Sequence, residues 1–312
     1  MPELPDIEAY IHALRSRVVG GLLKRIRIGS PFLLRTFEPP VEAIEGLPVI
    51  GIRRLGKRIV FEFDTGGRFP LSTTGEHDPL FLVLHLMITG RLLWKDQTGP
   101  LVKGPGKITQ GMFEFGSGTL ILTEASMKKR ASLHVVKGAP ALAAHDPGGL
   151  ELLEPATTAA LLAMRLRREN RTIKRALTDP RTISGVGNAF SDEILHAARM
   201  SPLLLTGKMT EGESARLLAA ARDVLQRFTS LLCKRFEMKF PGSGEVTAFR
   251  PEFAVHGKFG EACPVCGTKV ARIVRADNET NYCPGCQTGG KLLADRSLSR
   301  LLGADWGKEE DD

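Results

Sequence analysis

The chain has 312 residues, enough for two domains and a small appendage, and its apolar fraction of 42% is ordinary for a globular protein. Its formal net charge of +8 favours a polyanionic partner. No apolar run approaches the roughly 18 to 20 residues that span a bilayer, and the acidic start around Asp6 and Glu8 is unlike a signal peptide. We therefore expect a cytoplasmic protein that acts on a polyanion.

The first half of the chain combines one helical segment with many strand patterns. Residues 5–18 carry apolar side chains at helical spacing and predict an amphipathic helix. From about residue 22 to 136, short β-rich runs alternate with turn-rich breaks, which predicts an antiparallel sandwich or barrel. The clearest runs cover residues 59–63, 80–86, 111–115 and 120–122.

The second half of the chain is predominantly helical. Helical composition and spacing mark residues 156–168, 171–178, 189–199 and 211–236. A β-hairpin is predicted within 263–286, and a short amphipathic helix around Leu298 and Leu301. The pattern is that of an α+β multidomain protein. We expect an N-terminal β-sandwich domain with a leading helix, a linker, a helical domain, a finger and a tail, at residues 1–137, 138–150, 151–245, 246–290 and 291–312.

Four of the five cysteines lie in two close pairs near the end of the chain. Cys263 and Cys266 form one CxxC pair, Cys283 and Cys286 form the other, and 16 residues separate the two pairs. Two such pairs supply four thiolates to one tetrahedral Zn²⁺, and four thiolates leave no open coordination position. We therefore predict one structural zinc ion in a finger hairpin, with a redox dithiol as the alternative.

The N-terminus offers covalent chemistry if Met1 is removed, which a small second residue such as proline permits. Pro2 would then carry a secondary amine with a pKa of about 8, so a fraction of it is unprotonated at neutral pH. Such an amine attacks a sugar C1′ carbon to form a cationic imine, while Glu3 protonates the ribose oxygen or shuttles protons. Pro2 and Glu3 equally suit the plain start of a helix, so by itself the pair leaves both interpretations open.

Two further stretches suit phosphate contacts. Arg53, Arg54, Lys57 and Arg58 form a basic cluster that suits phosphates, although such clusters are also common on solvated faces. The turn 183–188 opens a helix, where backbone N–H groups at the positive end of the dipole favour an anion. The two stretches together are consistent with a nucleic acid as the polyanion.

Six motifs in a fixed order carry a family resemblance. They are MPELPDIE at the start, Gly56-Lys57, HLMITG at 85–90, GVGNAFSDEIL at 185–195, FAVHG at 253–257 and the two CxxC pairs. In these motifs, from Pro2 to about Gln287, the chain resembles the formamidopyrimidine-DNA glycosylase and endonuclease VIII family. The resemblance implies a β-sandwich, a helix-two-turn-helix domain and a zinc finger, with a DNA cleft between the domains.

The resemblance also implies roles for single residues. Pro2 corresponds to the Schiff-base nucleophile, Glu3 to the general acid and Lys57 to a β-hairpin lysine that contacts DNA beside the lesion. Asn188 corresponds to the phosphate-binding asparagine between the two helices, and it also suits the N-cap of the helix that follows. The implied partner is double-stranded DNA with damaged or abasic sites, bound by a monomer, and the implied cofactor is one Zn²⁺.

A flipped base leaves a gap that a side chain must fill. In the family, a methionine of HLGMSG fills it. Aligned without gaps, Ile88 occupies that position and Met87 precedes it, so either residue is a candidate wedge, and a buried strand residue is the alternative for each.

Several recognition elements depart from the family pattern. Asn278 stands where the finger usually carries an arginine, and it lacks a charged, bidentate fork, which leaves Arg275 as a possible substitute. The segment DPRRFG is replaced by residues 123–132, which stay basic through Lys129 and its neighbours. Residues 240–251 leave little room for a long purine-capping loop, and Asp6 is one methylene shorter than the family's glutamate.

These features predict a base-excision-repair glycosylase with AP lyase activity and a non-standard substrate range. One alternative is a non-catalytic damaged-DNA-binding protein of the same fold, favoured by Asn278 and opposed by the intact Pro2, Glu3 and Lys57. A zinc-ribbon component of a ribosomal or transcription complex is a further alternative, but it gives no reason for the N-terminal motif.

Overall fold

The structure is a computed structural model that describes residues 1–66, 78–97, 106–275 and 278–293. The chain divides into two compact units. The first comprises Met1–Gly149 with Arg227–Ala248, and the second comprises Leu150–Gln226 with Phe249–Asp312. Among the described residues, no helix is long and apolar enough to cross a membrane.

The first unit contains two antiparallel four-stranded sheets. One sheet has the strand order β1-β6-β7-β5 and the other has the order β2-β3-β4-β8. The predicted β-sandwich with a leading helix is therefore confirmed. The elements of this unit are α1 (Leu4–Val18), β1 (Leu23–Ile28), β2 (Val49–Leu55), β3 (Arg58–Phe63), β4 (Leu80–His85), β5 (Gly90–Asp96), β6 (Thr109–Phe115), β7 (Gly118–Glu124), β8 (Ser132–Lys137), α2 (Gly138–Ala143) and a 3₁₀ turn (Val41–Ile44).

One hydrophobic core joins α1 to both sheets. Alternate residues of β3, such as Phe61 and Phe63, point into this core together with Leu82 of β4 and Phe113 of β6. Ile7 and its helical neighbours on α1 are fully buried in the same core. The two-residue period of the strands and the helical period of residues 5–18 thus converge on one apolar interior.

The second face of the β2-β3-β4-β8 sheet is also covered. Val60, Val83 and Val136 form a separate cluster there with Leu142 of α2. This explains why residues 80–84 form a continuous apolar run, because the strand is buried on both faces. The stretch predicted as a linker begins with helix α2, because Leu142 of this helix covers the apolar outer face of the sheet.

The second unit is helical and ends in the finger hairpin. All four predicted helices are present, and their ends differ from the predicted ones by at most three residues. Thr158 caps the first of them by accepting a hydrogen bond of 3.1 Å from the backbone of Leu161. The elements are α3 (Ala159–Arg167), α4 (Ile173–Thr178), α5 (Asn188–Ala197), α6 (Glu211–Arg235), β9 (Ala271–Arg275), β10 (Asn278–Tyr282) and α7 (Pro284–Thr288).

Two features of this unit bear on the predictions. Helix α6 is continuous, but its residues after Gln226 are assigned to the first unit, where Leu232 joins the main core. The predicted helix around Leu298 lies outside the described residues, so it stays a prediction, as do the sequence-based domain boundaries.

Candidate functional site

Helix α1 presents the N-terminal residues in a buried setting. Glu3 is the N-cap, and its backbone N–H donates a hydrogen bond of 2.8 Å to the Oδ2 atom of Asp6. Asp6 lies at the third helical position, so its short side chain reaches back to the cap as in a capping box. Pro2 is buried, and Glu3 and Asp6 are each 3% exposed. The aspartate that departs from the family pattern therefore fixes the conformation of the N-terminus.

The turn between β2 and β3 brings Lys57 to this region. Gly56 has a φ of 61°, which suits glycine, and Lys57 behind it is 8% exposed. Burial lowers the pKa of the Lys57 ammonium, and the nearby Glu3 carboxylate opposes that change. The structure thus brings together Glu3 and Lys57, which the sequence separates by more than fifty residues.

The terminal amine lies in the same electrostatic environment. In the full chain this amine belongs to Met1, and burial lowers its pKa, with Glu3 raising it and Arg91 and Lys57 lowering it. A lower pKa increases the unprotonated fraction of an amine, which is the nucleophilic form. The terminal amine, the Glu3 carboxylate and the Lys57 ammonium therefore lie close enough to influence one another near the start of α1.

Arg54 on β2 stabilises the turn that carries Lys57. Its Nε donates to the Oε1 atom of Glu8 at 2.9 Å, and one Nη donates to the carbonyl of Gly56 at 3.0 Å. Arg53, in contrast, is exposed. The basic cluster predicted from the sequence is thus divided between an arginine that holds the Lys57 turn and an arginine on the surface.

Met87 and Ile88 both lie in the turn between β4 and β5, and not in a strand. The backbone N–H of Gly90 closes the turn onto the carbonyl of Leu86 at 2.9 Å, and a Cβ on Gly90 would lie 2.2 Å from that oxygen. Met87 has a φ of 52° and is half-buried, whereas Ile88 is 50% exposed. Of the two candidate wedges, Ile88 is the one that presents its apolar side chain at the surface.

A buried carboxylate that the sequence analysis missed supports this turn. Glu124, at the end of β7, is 1% exposed and accepts hydrogen bonds from Thr89 Oγ1 at 3.1 Å and from the backbone of Arg130 at 3.0 Å and Ala131 at 3.2 Å. The ammonium of Lys129 donates to its carbonyl. No sequence signal marks this role of Glu124, because Thr89 is 35 residues away along the chain and its other partners are backbone groups.

The same segment exposes an apolar side chain. Met127 is 96% exposed, and Lys128 and Arg130 beside it are also exposed. Lys129 is held against the loop by its bond to the Glu124 carbonyl. The basic replacement for DPRRFG therefore presents one methionine and two cations outward.

The turn 183–188 leads into α5, whose first residue is Asn188. The N-cap is Gly187, one position earlier than Asn188, the cap predicted from the sequence. The Nδ2 atom of Asn188 donates to the carbonyl of Glu279 on β10 at 2.9 Å. Lys174 of α4 donates to the Asn188 carbonyl at 2.7 Å and forms an ion pair with Asp192. Lys174 was not identified from the sequence, because a single lysine in a helical run carries no distinctive pattern.

Helix α5 binds the FAVHG motif directly. The carboxylate of Glu193 accepts backbone hydrogen bonds from Ala254, Val255 and His256 at 2.8, 2.9 and 2.9 Å. Burial raises the pKa of Glu193, and these three hydrogen bonds oppose that change. The Oδ2 atom of Asp192 contacts His256 Nδ1 at 2.7 Å. Two motifs that are 58 residues apart at their nearest ends are thus parts of one contact.

The cysteine pairs converge on one another. The sulfurs of Cys266 and Cys283 are 3.3 Å apart and those of Cys263 and Cys286 are 3.9 Å apart. Thiolates of one tetrahedral zinc site lie about 3.8 Å apart, given a Zn–S distance of about 2.3 Å. The donor set therefore fits one structural zinc ion held by the four cysteines, and the ligand atoms of three of them cluster with His196.

The hairpin that follows these cysteines pairs Arg275 of β9 with Asn278 of β10. Asn278 is exposed at the start of its strand, whereas the Arg275 side chain lies outside the described residues. Whether Arg275 takes the place of the missing finger arginine stays a prediction.

Together, the sandwich with its leading helix, the helical domain and the four-cysteine finger define a zinc-containing DNA-binding protein. Family models locate the same parts. The formamidopyrimidine-DNA glycosylase N-terminal domain matches residues 1–126, the H2TH domain of the same enzyme matches 149–231, and the zinc finger found in FPG and IleRS matches 260–289.

Whole-chain comparisons agree with the family models. A formamidopyrimidine-DNA glycosylase of Symbiobacterium thermophilum is 31% identical over 293 residues, which cover 92% of this chain and 89% of that protein. The chain therefore belongs to the formamidopyrimidine-DNA glycosylase family of DNA-repair proteins.

Solved structures of the family have the same fold. The Lactococcus lactis glycosylase bound non-covalently to DNA with an AP site is 26% identical and has a TM-score of 0.74, covering 92% of this chain and 99% of that one. A complex of a variant of that enzyme with Fapy-dG-containing DNA is also 26% identical, with a TM-score of 0.75 and coverages of 92% and 100%.

Proposed function

We propose that this chain is a bifunctional DNA glycosylase and AP lyase that removes oxidised bases from double-stranded DNA in base excision repair. The observation that carries the proposal is the burial of Pro2, Glu3 and Lys57 near the amino terminus. Burying ionisable groups is costly because they lose hydration, and buried groups with perturbed pKa values are concentrated at functional sites. The Lactococcus lactis relatives were captured with an AP site or with Fapy-dG in their DNA, which agrees with this class of substrate.

The reaction begins at Pro2 once Met1 has been removed. The lone pair of the Pro2 nitrogen forms a bond to C1′ of the damaged nucleotide, and the glycosidic bond breaks with its electron pair passing to the base. The Pro2 nitrogen then loses its proton, and the departed base takes up a proton. The freed lone pair on the nitrogen forms a double bond to C1′ and expels the ribose ring oxygen, which Glu3 protonates. A cationic imine now joins Pro2 to C1′.

Strand cleavage follows from the imine. Its positive charge acidifies the C2′–H bond, and removal of that proton expels the 3′ phosphate oxygen with the electron pair of the C3′–O bond. Lys57 is 8% exposed and interacts electrostatically with Glu3, which suits a cation that holds the DNA backbone beside the reacting sugar.

Further residues serve DNA binding in this proposal. Ile88 fills the gap left by the flipped base, while the α5 N-terminus with Asn188 contacts a phosphate. Additional phosphate contacts are assigned to a set of polar and basic residues on both units, namely Arg54, Lys129, Arg275 and Asn278. Arg54 and Lys129 also bond within the protein, so we expect them to act mainly by holding their loops.

The departures from the family pattern bear on substrate range. Asn278 offers a weaker phosphate grip than arginine, and Met127 with its basic neighbours replaces DPRRFG in the loop that follows β7. Residues 240–251 provide only a short connection where a purine-capping loop would need more chain. We therefore propose a substrate range that differs from the standard oxidised guanine.

Borohydride trapping tests the catalytic part of this proposal. The wild-type chain and Pro2→Gly are incubated with lesion-bearing and abasic oligonucleotides, with Pro251→Gly as a control at an exposed proline. We expect a covalent adduct for the wild type and the control. Pro2→Gly should keep its DNA affinity but give a far smaller yield of adduct, because it offers a primary amine in place of the secondary amine of proline. Intact mass measurement establishes in parallel that Met1 has been removed.

Two results contradict the proposal. If the wild type binds abasic DNA but forms no adduct on any substrate, the chain is a non-catalytic damaged-DNA-binding protein. If Pro2→Gly forms the adduct as efficiently as the wild type, another amine is the nucleophile.

A further inference from the structure

His196 lies on α5 and contacts the zinc centre. Its Nε2 atom is 3.3 Å from the sulfur of Cys263, and the ring is buried, with the residue 6% exposed. His196 belongs neither to the CxxC pairs nor to the finger segment 260–289. A polar ring atom buried against a metal-binding sulfur needs a role, because a buried polar group without a partner is costly.

The charge of the centre defines that role. Four thiolates around one Zn²⁺ leave a net charge of −2, and Cys263 and Cys283 are only 3% and 0% exposed. N–H and O–H donors around the sulfurs offset such a charge. The backbone N–H of Cys286 approaches the Cys283 sulfur at 3.4 Å, and the Thr268 hydroxyl lies 3.3 Å from the Cys266 sulfur. Cys263 receives its equivalent contact from His196.

We propose that His196 is a positioning residue that donates its Nε2–H to the Cys263 thiolate and thereby joins the zinc centre to α5. Five potential ligands surround four coordination positions. The sulfurs of Cys266 and Cys283 are 3.3 Å apart and those of Cys263 and Cys286 are 3.9 Å apart, distances that suit ligands of one tetrahedral zinc ion. The four thiolates therefore complete the coordination without the imidazole. His196 therefore serves as a hydrogen-bond donor outside the coordination sphere.

The spacing of residues along α5 places this contact on the same helix face as two other contacts with the finger. Asn188, Asp192 and His196 follow one another at four-residue intervals and therefore share one helix face. Asn188 bonds the carbonyl of Glu279, Asp192 accepts from the backbone of Asn281 at 3.1 Å, and His196 contacts Cys263. The finger is thus attached to α5 at three points, and the zinc centre is the last of them. Loss of zinc should loosen the helix whose first residue we assign to phosphate binding.

Cobalt substitution of the full-length chain tests the inference without any DNA. The wild type is compared with His196→Phe, which removes the donor, His196→Gln, which retains an N–H donor, and His12→Phe, a control at an exposed histidine. We expect an all-sulfur Co²⁺ spectrum in every protein, with the charge-transfer band displaced only in His196→Phe. Zinc affinity, measured by chelator competition, should fall about 10- to 100-fold in His196→Phe and recover largely in His196→Gln.

A measurement on the wild type alone covers the case in which His196→Phe does not fold. In the ¹¹³Cd-substituted protein with ¹⁵N-labelled histidine, we expect a slowly exchanging Nε2 proton on His196 that shows coupling to the metal. A wild-type Co²⁺ spectrum of the three-sulfur, one-nitrogen type would make His196 a ligand and overturn the proposal. An unprotonated Nε2, or unchanged zinc affinity in a folded His196→Phe, would overturn it as well. None of these readouts depends on glycosylase activity.

Discussion

The carboxylate of Glu124 accepts a hydrogen bond of 3.1 Å from the hydroxyl of Thr89, which joins the end of β7 to the turn that exposes Ile88. The same carboxylate accepts from the backbone of Arg130 and Ala131 in the loop after β7. One buried side chain therefore fixes both the turn that we assign to the gap left by a flipped base and the loop that replaces DPRRFG. Their shapes are linked through this carboxylate.

Glu124→Ala should destabilise the first unit by about 1 to 3 kcal/mol, because it leaves buried backbone N–H groups without an acceptor. Urea unfolding measures this loss through the fluorescence of Trp94 on β5, in a background with Trp306→Phe. Glu114→Gln is the matched control, since it removes only a partly exposed ion pair with Arg27.

Glu124→Gln should cost less than Glu124→Ala, because its amide oxygen still accepts one hydrogen bond. If Glu124→Ala is as stable as Glu114→Gln, the carboxylate does not hold these loops.

Ile88 should matter more than Met87 for base flipping. Ile88→Ala removes an apolar side chain that is 50% exposed at the tip of the turn, and we expect excision to fall about 10- to 100-fold, since unstacking costs a few kcal/mol per step. Met87→Ala should have a much smaller effect, because Met87 is half-buried at the base of the turn. Stopped-flow fluorescence of 2-aminopurine next to the lesion separates flipping from chemistry. Equal losses in the two variants would contradict the assignment of Ile88.

Acid should destabilise the first unit through two partly buried histidines. Burial, with nearby Arg58 and Lys57, lowers the pKa of His85 to about 3, and burial with His145 lowers that of His134 to about 4. The folded state keeps both rings neutral above these values, whereas the unfolded state binds protons below about 6.5. Stability is therefore lost as the pH falls from 6.5 towards 4, and His85 extends the loss to about pH 3.

Each histidine contributes a slope of at most about 1.4 kcal/mol per pH unit to the free energy of unfolding. His85→Gln should flatten the dependence between pH 4 and 6 by roughly that amount, while His12→Gln, at an exposed position, should leave it unchanged. Urea unfolding monitored at Trp94 across this range provides the measurement. An identical slope in His85→Gln and the wild type would refute the assignment.

Sequence patterns predicted the elements well and their polar partners poorly. The apolar periods of residues 5–18 and 59–63 located α1 and β3 because side-chain burial repeats locally. The pattern in 185–195 located α5, but it gave no sign that Glu193 and His196 would be buried against residues more than fifty positions away. Contacts of that kind depend on the tertiary fold, and they leave no periodic pattern in a single sequence.

The finger should gain affinity for DNA when its arginine is restored. Asn278 is exposed at the start of β10, so Asn278→Arg adds a cation without burying it. If this position faces a phosphate, the logarithm of the DNA association constant falls more steeply with the logarithm of the salt concentration, by about 0.9 in slope. Fluorescence anisotropy over a salt series measures the slope. Met238→Arg, at a residue that is 91% exposed, adds the same charge elsewhere, and an equal change in both variants would mean a non-specific effect.

Removing one partner of the buried ion pair of Asp192 and Lys174 should strongly destabilise the second unit. Asp192 is 1% and Lys174 8% exposed, and Asp192 also accepts from the backbone of Asn281. Asp192→Ala leaves the Lys174 ammonium buried without its carboxylate, which costs about 3 to 5 kcal/mol. Asp192→Asn should cost less, because an amide of the same shape still accepts a hydrogen bond.

The double substitution Asp192→Asn with Lys174→Met should be more stable than the sum of the single losses predicts, because removing both charges removes the uncompensated one. Urea unfolding of the zinc-loaded chain, followed by circular dichroism, gives the coupling energy between the two positions. Additive losses would indicate that the pair contributes little beyond its separate contacts. In that case the attachment of α5 to the hairpin would depend mainly on the hydrogen bond that the Asn188 side chain donates to the Glu279 carbonyl.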